Sequence, residues 1–355
     1  MKRIRNNKNS IKNNNNRSII SDDPGNLKID IELIKDSFSN IFCSFKSING
    51  AYILIYTNEL FYIISYDLTN SQKLTKIKFS NFDNFFEIRH FLDNINKRDL
   101  ILFINFDTIK IINFSNWTCI TQIKEKINKI NDQIPGVVYR YKSIDKKGGI
   151  NACIFENNKK NYIATSHLNF QYFKFYDLNG NKNKDIKTPN KINIIIETYK
   201  NFIISGNYNC CTSYDFKNKK FKNYKSNENS KINYKFINLV VCKDKQDYIK
   251  LIAKAQLTTN IDKYTIFIWD FNSCDIINKT DLTIISFDSG FNLWNEKYII
   301  LGTGQKFKIY NLFKEQFTQD IPLQGNYYFQ IIIHPKHGKC IMYTDFYKKI
   351  HLLHE

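Results

Sequence analysis

A short pattern of alternating apolar and polar positions recurs along the chain. Each copy runs apolar, variable, apolar, aromatic or aliphatic, then Asp or Asn, then Leu or Phe, with the polar position at residues 67, 113, 177, 215, 270 and 311. A degenerate seventh copy ends the sequence, with His354 at that position. Because successive side chains of a strand point to opposite faces, this alternation predicts half-buried β-strands.

The polar positions are 46, 64, 38, 55, 41 and 43 residues apart. Four of these intervals lie near the roughly 40–45 residues of a repeating unit of four short strands. Most copies follow another apolar strand, such as residues 298–302, and precede a more polar one, such as residues 118–123. We therefore expect seven units of four antiparallel strands, two of them lengthened by insertions.

The ends of these strands resemble the WD-repeat β-propeller family. Tyr-Asp-Leu, Trp-Asp-Phe and Tyr-Asn-Leu carry the resemblance, which covers about residues 26–355. A finer likeness, at residues 293–300 and 333–340, is to diverged WD-repeat propellers of protists with AT-rich genomes. The sequence has no Gly-His dipeptide, so the Asp-His-Ser/Thr-Trp network typical of the family is incomplete. The resemblance implies an all-β, seven-bladed propeller of four-stranded antiparallel blades.

The seventh copy ends with its third strand and lacks an outermost one. Residues 27–35 alternate apolar and polar positions before the first full unit. We predict that this segment completes the seventh blade, because closing the ring removes an open sheet edge. Residues 1–24 form an Asn-rich basic segment with no apolar periodicity, which predicts a disordered tail before a propeller over 25–355.

Composition supports an all-β fold and complicates the interpretation of charge. The chain has 57 Ile, 29 Phe and 22 Tyr, which are residues that favour strands. Its formal net charge is +19, with 47 Asn and 46 Lys but only 6 Arg. AT-rich coding produces this skew. The scarcity of Arg argues against specific nucleic-acid recognition.

Targeting signals and cysteine usage bear on location. No apolar run approaches the roughly 18 residues of a membrane span, and no apolar stretch follows the basic first residues as in a secretory signal. Eight scattered Cys are typical of reduced core residues. We expect an intracellular, cytoplasmic protein.

Both long intervals predict insertions on one face of the propeller, which the resemblance implies is the partner-binding face. The first insertion covers residues 131–149 and contains Tyr139, Arg140 and Tyr141. Tyr and Arg are enriched at binding hot spots, so we expect these three to contact a partner unless the insertion is merely solvated. The second insertion covers residues 254–264, between the second and third strands of blade five.

A basic stretch at residues 217–225 interleaves lysines with aromatic residues. Lys219, Lys220, Lys222 and Lys225 could attract phosphates or an anionic membrane surface. The stretch also falls where the outer strand of blade four should lie, and Lys on an edge strand blocks aggregation between sheets. We favour the edge-strand interpretation.

Signals for chemistry are weak. His334, His337, Cys340, His351 and His354 are of zinc-binding types, but strand geometry separates them and we predict no metal site. No phosphate loop or nucleophile motif occurs, and the repeated Asp residues are expected to form capping hydrogen bonds in turns. We predict no catalytic residue and no cofactor.

Three functions remain from the sequence. The first is a non-catalytic scaffold for protein–protein interaction, and the alternative is an electrostatic adaptor that binds acidic lipid or nucleic acid. The third, a propeller hydrolase, would need a cluster of carboxylates and Arg in the central channel.

Overall fold

Alternating segments rich in Ile, Phe and Tyr form strands throughout the described part of the chain. The computed structural model describes residues 23–24, 27, 29–34, 38–58, 62–78, 85–105, 107–125, 150–167, 171–190, 196–226, 233–243, 247–283, 290–295, 297–303, 305–323, 328–345, 347 and 349–355. Its 28 strands form seven sheets of four antiparallel strands, arranged in a ring. The predicted seven-bladed β-propeller is therefore confirmed.

The strands follow one another around the ring, except that the first strand belongs to the last blade. That strand is β1 (Ile29–Ile34). Blades one to three consist of β2 (Phe38–Lys46), β3 (Tyr52–Asn58), β4 (Tyr62–Asp67), β5 (Gln72–Lys78), β6 (Phe85–Asp93), β7 (Arg98–Asn105), β8 (Thr108–Asn113), β9 (Thr118–Lys124), β10 (Ile150–Asn157), β11 (Lys160–His167), β12 (Tyr172–Asp177) and β13 (Lys182–Lys187). Blades four to six consist of β14 (Ile196–Tyr199), β15 (Phe202–Gly206), β16 (Cys210–Asp215), β17 (Lys220–Lys225), β18 (Tyr234–Lys243), β19 (Ile249–Leu257), β20 (Asn260–Asp270), β21 (Ile276–Thr283), β22 (Gly290–Leu293), β23 (Tyr298–Gly302), β24 (Lys306–Asn311) and β25 (Gln316–Pro322). Blade seven consists of β26 (Tyr328–His334), β27 (Gly338–Thr344), β28 (Ile350–His354) and β1.

The first strand of each blade lies innermost, because first strands contact those of neighbouring blades. Such contacts join β2 to β6 and β26, β14 to β10 and β18, and β22 to β18 and β26. Connections from first to second and from third to fourth strands, such as residues 47–51 and 68–71, lie on one face, here called the turn face. The opposite face, the crossover face, carries the other connections.

Apolar burial is divided among the interfaces between blades. Each of the seven apolar clusters combines residues of two neighbouring blades. Between blades one and seven, for example, Tyr56 and Ile64 pack with Met342 and Leu352, and all four are almost fully buried. Since each blade covers the apolar faces of its neighbours, the ring is stabilised cooperatively.

The amino-terminal strand closes the ring as predicted. β1 pairs antiparallel with β28, with Ile29 opposite His354 and Glu32 opposite His351. The ammonium of Lys349 lies 2.8 Å from the carboxylate of Glu32. Leu27 is buried in the cluster between blades six and seven. Blade seven therefore has its full set of four strands.

The repeated Asp or Asn caps the turn that follows each third strand, as the sequence predicted. In blade five, the carboxylate of Asp270 accepts hydrogen bonds from the backbone N–H groups of Asn272 and Ser273 at 2.8 and 2.7 Å. The hydrogen bond from the Ser273 N–H lowers the pKa of Asp270. In five of the six copies the backbone is left-handed four positions after the repeated residue, as at Cys274 (φ 69°) and Glu315 (φ 55°), which is typical of a short hairpin turn.

The aromatic residue before the repeated Asp or Asn links neighbouring blades. In blade five, Trp269 Nε1 donates to the carbonyl of Lys225, at the end of the outer strand of blade four, at 3.0 Å. In blade six, the Tyr310 hydroxyl shares a 2.8 Å hydrogen bond with Thr280 Oγ1 on the outer strand of blade five. These contacts give the recurring aromatic residue a structural role between blades.

A similar link between blades two and three is charged. We call Glu125 and its partners Thr165, Lys174 and Tyr176 the Glu125 cluster. Glu125 follows β9 directly, and its carboxylate accepts hydrogen bonds from the Tyr176 hydroxyl and Lys174 Nζ, both at 2.5 Å, and from Thr165 Oγ1 at 3.3 Å. Burial, with the Glu125 charge and hydrogen bond, raises the pKa of Tyr176. The cluster fixes Glu125, which lies six positions before the predicted insertion at 131–149.

The expected second insertion, at residues 254–264, is not a loop. The extra residues lengthen β19 and β20 into a hairpin, in which Gln256 pairs with Tyr264 and Leu257 with Asn260. Lys254 is fully buried and its ammonium lies 4.6 Å from the centre of the Tyr264 ring.

No described helix is long and apolar enough to cross a membrane.

Candidate functional site

The residues that sequence reasoning proposed for partner binding fall in different places. Tyr139, Arg140 and Tyr141 lie outside the described residues, so their role stays a prediction. The basic stretch forms the outer edge of blade four, as expected, with Lys219 in the preceding turn.

Within that stretch one lysine differs from the rest. Lys222 is half-buried and its ammonium donates to the carbonyl oxygens of Phe271 and Asn272 in blade five, at 3.3 and 2.9 Å. Lys219, Lys220 and Lys225 are exposed. Lys222 thus contributes to the contact between blades, while an anionic ligand for the other three stays a prediction.

A cavity of about 460 Å³ lies where the inner strands of blades two, three and four approach the turn face. We call it the channel cavity. Its lining includes Arg89, Cys153, Glu156, Glu197 and Lys200. These residues come from β6, β10, β14 and the turn after β14, so three consecutive blades contribute to one site.

The guanidinium of Arg89 connects the three blades. Its Nε lies 2.6 Å from Glu87 Oε1 on the same strand, and Nη2 donates to Asn151 Oδ1 on β10 at 3.4 Å. Its Nη1 lies 3.9 Å from Glu197 Oε1 on β14. Glu87 and Arg89 share one side of their strand because they are two positions apart. One guanidinium thus faces two carboxylates, and the group carries a net charge of −1.

Burial and the charge of the opposite partner shift the pKa values of Arg89 and Glu197 in opposite directions. Burial raises the pKa of Glu197, and the nearby Arg89 offsets this only in part. For Arg89, burial acts to lower the pKa, but the charges of Glu87 and Glu197 outweigh it and raise the pKa. Arg89 therefore stays cationic. The side chain of Glu197 is 43% exposed, so water in the cavity reaches a carboxylate that the ring otherwise encloses.

Burial also shifts the pKa of two further titratable groups of the cavity, Cys153 and His90. Burial raises the pKa of the Cys153 thiol to about 12, which keeps it protonated and weakly nucleophilic. His90 stacks on Phe45 with ring centres 3.7 Å apart, and its Nε2 lies 2.8 Å from Asp99. Burial lowers the pKa of His90 despite this carboxylate. The arrangement can hold a charged ligand through hydrogen bonds.

A second cavity, of about 420 Å³, lies on the turn face between blades one and two. Its lining includes Ile48, Leu74 and Trp117. Leu74 is the extra residue of a β-bulge between β4 and β5, which turns its side chain outward. Ile48 and Leu74 are 38% and 45% exposed, and Ile95, in the turn after β6, is 42% exposed. We call Ile48, Leu74, Ile95 and Trp117 the apolar patch.

The histidines of blade seven stack rather than converge on a metal. The ring centres of His334 and His337 are 4.8 Å apart, and those of His337 and His354 are 3.9 Å apart. His351 instead lies 3.1 Å from Asp345. Burial lowers the pKa of His334 to about 4. Among the described residues, no three His, Cys, Asp or Glu are grouped as metal ligands.

Sequence reasoning did not identify the channel cavity. The required hydrolase feature, carboxylates and Arg in the channel, occurs there with one Arg, but none of its residues was singled out. The available signal was the alternation of Glu87 and Arg89 on a first strand, together with Glu197 at the matching place two blades later. Their proximity depends on the ring, which brings together residues far apart in the chain.

Comparison with known proteins identifies the fold alone. No family model matches the chain, and no curated protein matches it. Among solved structures, the hydrazine synthase of Kuenenia stuttgartiensis is similar at a TM-score of 0.57 and 12% identity, over 91% of this chain and 97% of that chain. The computationally designed Ika8 protein is similar at a TM-score of 0.54 and 10% identity, over 91% and 97%.

Proposed function

We propose that this propeller is a non-catalytic scaffold that binds a protein partner through the apolar patch on blades one and two. The observation that carries the proposal is the exposure of Ile48 and Leu74 at a cavity of about 420 Å³, with Ile95 exposed on the same face of blade two. Exposed apolar side chains grouped around a concave surface are typical of protein-interaction sites.

The charges around the apolar patch indicate what kind of segment it would bind. Lys73 and Lys97 are exposed beside Leu74 and Ile95, and Lys97 lines the cavity. The partner segment that complements this surface carries apolar side chains flanked by acidic ones. The apolar side chains would enter the cavity, while the acidic ones would pair with the lysines at its rim.

The repeated third strands and the thiol of Cys153 also bear on this function. The WD-repeat resemblance of the third strands supports an interaction scaffold, and the buried, protonated thiol of Cys153 does not favour a nucleophilic role. The prediction for Tyr139, Arg140 and Tyr141 adds a second contact on the crossover face. The alternative, an electrostatic adaptor, rests on exposed Lys219, Lys220 and Lys225.

The test compares proteins captured by the full chain and by Ile48→Asp/Leu74→Asp. Phe313→Asp is the matched control, because Phe313 is 54% exposed on the turn face of distant blade six. We expect a partner that the wild type and the control retain and the double variant loses. The purified partner should then bind the wild type and Phe313→Asp but not the double variant.

Salt dependence separates the scaffold from the adaptor. An interface centred on apolar side chains should lose little affinity between low and physiological salt, whereas phosphate binding weakens steeply. Equal capture by the double variant and the wild type would show that the apolar patch is not the binding site. Binding of acidic vesicles or nucleic acid that Lys219→Gln/Lys220→Gln abolishes would favour the adaptor.

A further inference from the structure

Acidic side chains gather at the channel cavity of a chain that is strongly basic elsewhere. The chain has 52 Lys and Arg against 33 Asp and Glu. At the channel cavity, however, Glu156 and Glu197 line the same space as Arg89 and Lys200, and a third carboxylate, that of Glu87, lies 2.6 Å from Arg89. The excess of lysine in the chain would by itself favour a basic cavity. The carboxylates at the channel cavity are therefore not explained by composition.

Of the two carboxylates in contact with Arg89, Glu197 has the weaker charge compensation. The guanidinium of Arg89 lies 2.6 Å from Glu87 but 3.9 Å from Glu197. Lys200 also lines the cavity, but its ammonium lies 5.4 Å from the centre of the Tyr199 ring. Burial raises the pKa of Glu197, and the charge of Arg89 offsets this only in part. A second cation that donates hydrogen bonds would stabilise this carboxylate.

The walls of the cavity limit which cation fits. Phe91, Leu102 and Phe155 contribute apolar surface, and the volume of about 460 Å³ lies within the range of small-ligand sites. A divalent metal needs several oxygen ligands at once, and the carboxylates of Glu87 and Glu197 are both already in contact with Arg89. A flexible aliphatic chain that ends in an ammonium matches both the apolar walls and the acidic end.

We propose that the channel cavity binds an alkylammonium group, with Glu197 as the main acceptor. The group belongs either to a free polyamine or to a lysine side chain of a protein. The site is separate from the apolar patch, and the proposal does not depend on binding there.

The experiment titrates the purified full chain with spermidine and follows binding by calorimetry and by the midpoint of thermal unfolding. We expect wild-type protein to bind and to gain thermal stability, because a ligand that binds only the folded state raises the midpoint. Glu197→Gln should weaken binding about tenfold or more. Asp185→Asn, which removes an exposed carboxylate paired with Lys182 on blade three, should bind as the wild type does.

Two peptide arms distinguish the sources of the ammonium. One short peptide carries a lysine. A second peptide of the same sequence carries acetyl-lysine, which has no charge, at that position. Binding of the lysine peptide alone indicates a protein ligand, whereas binding of spermidine without either peptide indicates a free polyamine. The proposal is overturned if neither spermidine nor the lysine peptide binds, or if Glu197→Gln binds both as tightly as the wild type.

Discussion

The Glu125 cluster and the channel cavity place similar charges in contrasting surroundings. Glu125 is 4% exposed at its side chain and accepts three hydrogen bonds from Thr165, Lys174 and Tyr176. Glu197 is 43% exposed and has a single cationic contact at 3.9 Å. A carboxylate surrounded by donors from its own chain stabilises the fold, whereas one that faces a cavity with few donors is available to a ligand.

We expect the largest effect on stability when the charge of Glu125 is removed. Glu125→Gln should lower the free energy of unfolding by about 2 kcal/mol, because Lys174 loses its counter-charge at a buried interface. The loss is smaller than for a fully buried pair because Lys174 is 25% exposed. Chemical denaturation measures the change, and Asp320→Asn, which breaks an exposed ion pair with Lys306 on blade six, should shift it by less than about 0.5 kcal/mol. Equal shifts in the two variants would contradict a structural role for Glu125.

A smaller loss is expected from the neighbouring hydroxyl. Tyr176→Phe removes one hydrogen bond to the carboxylate and should cost about 1–1.5 kcal/mol of the free energy of unfolding. Tyr172→Phe, at an exposed position of the same strand, is the control. The Glu125→Gln/Tyr176→Phe double variant should lose less than the sum of the single variants, because both act on one network. Additive losses would argue that the two residues act separately.

The smallest expected effect is a gain, rather than a loss, in the free energy of unfolding. A glutamate whose pKa is raised by folding contributes stability that is present below its unfolded value and lost as pH rises through its folded pKa. Glu197→Gln removes that loss, so at pH 7 the variant should be more stable than the wild type, by less than about 1 kcal/mol given its exposure.

Unfolding experiments over a range of pH provide the check for Glu197. The advantage of Glu197→Gln should disappear below the ordinary pKa of 4.5, where the wild-type side chain is neutral in both states. A variant that is less stable than the wild type at pH 7 would place Glu197 with Glu125, among the groups that hold the blades together.

The features that repeat along the sequence were predictable, and those made by several blades together were not. The alternating third strands, the Asp270-type turns and the closing strand at residues 29–34 each have a local pattern. Arg89 and Asn151, in contrast, are 62 positions apart and meet because inner strands converge. The inner strands lack the Asp or Asn signature that made the third strands recognisable, so charged residues on them stood out weakly.

The extra length in blade five shows a second limit of sequence reasoning. A long interval between repeats is compatible with either a loop or longer strands. The structure has longer strands, β19 and β20, in which apolar and polar residues alternate from Ala253 to Leu257 and Ala255 and Thr265 are buried. Interval length alone does not distinguish these outcomes.

Ring closure by β1 has a consequence for the order of events during synthesis. Glu32 and Lys349, which pair across the closing strands, are 317 positions apart, so at typical rates the ribosome needs roughly 15–60 s between them. Throughout that time the Ile-rich segment 29–34 has no partner strand within its own chain. The nascent protein therefore carries an unpaired edge of the kind that chaperones bind, and the seventh blade is the last to assemble.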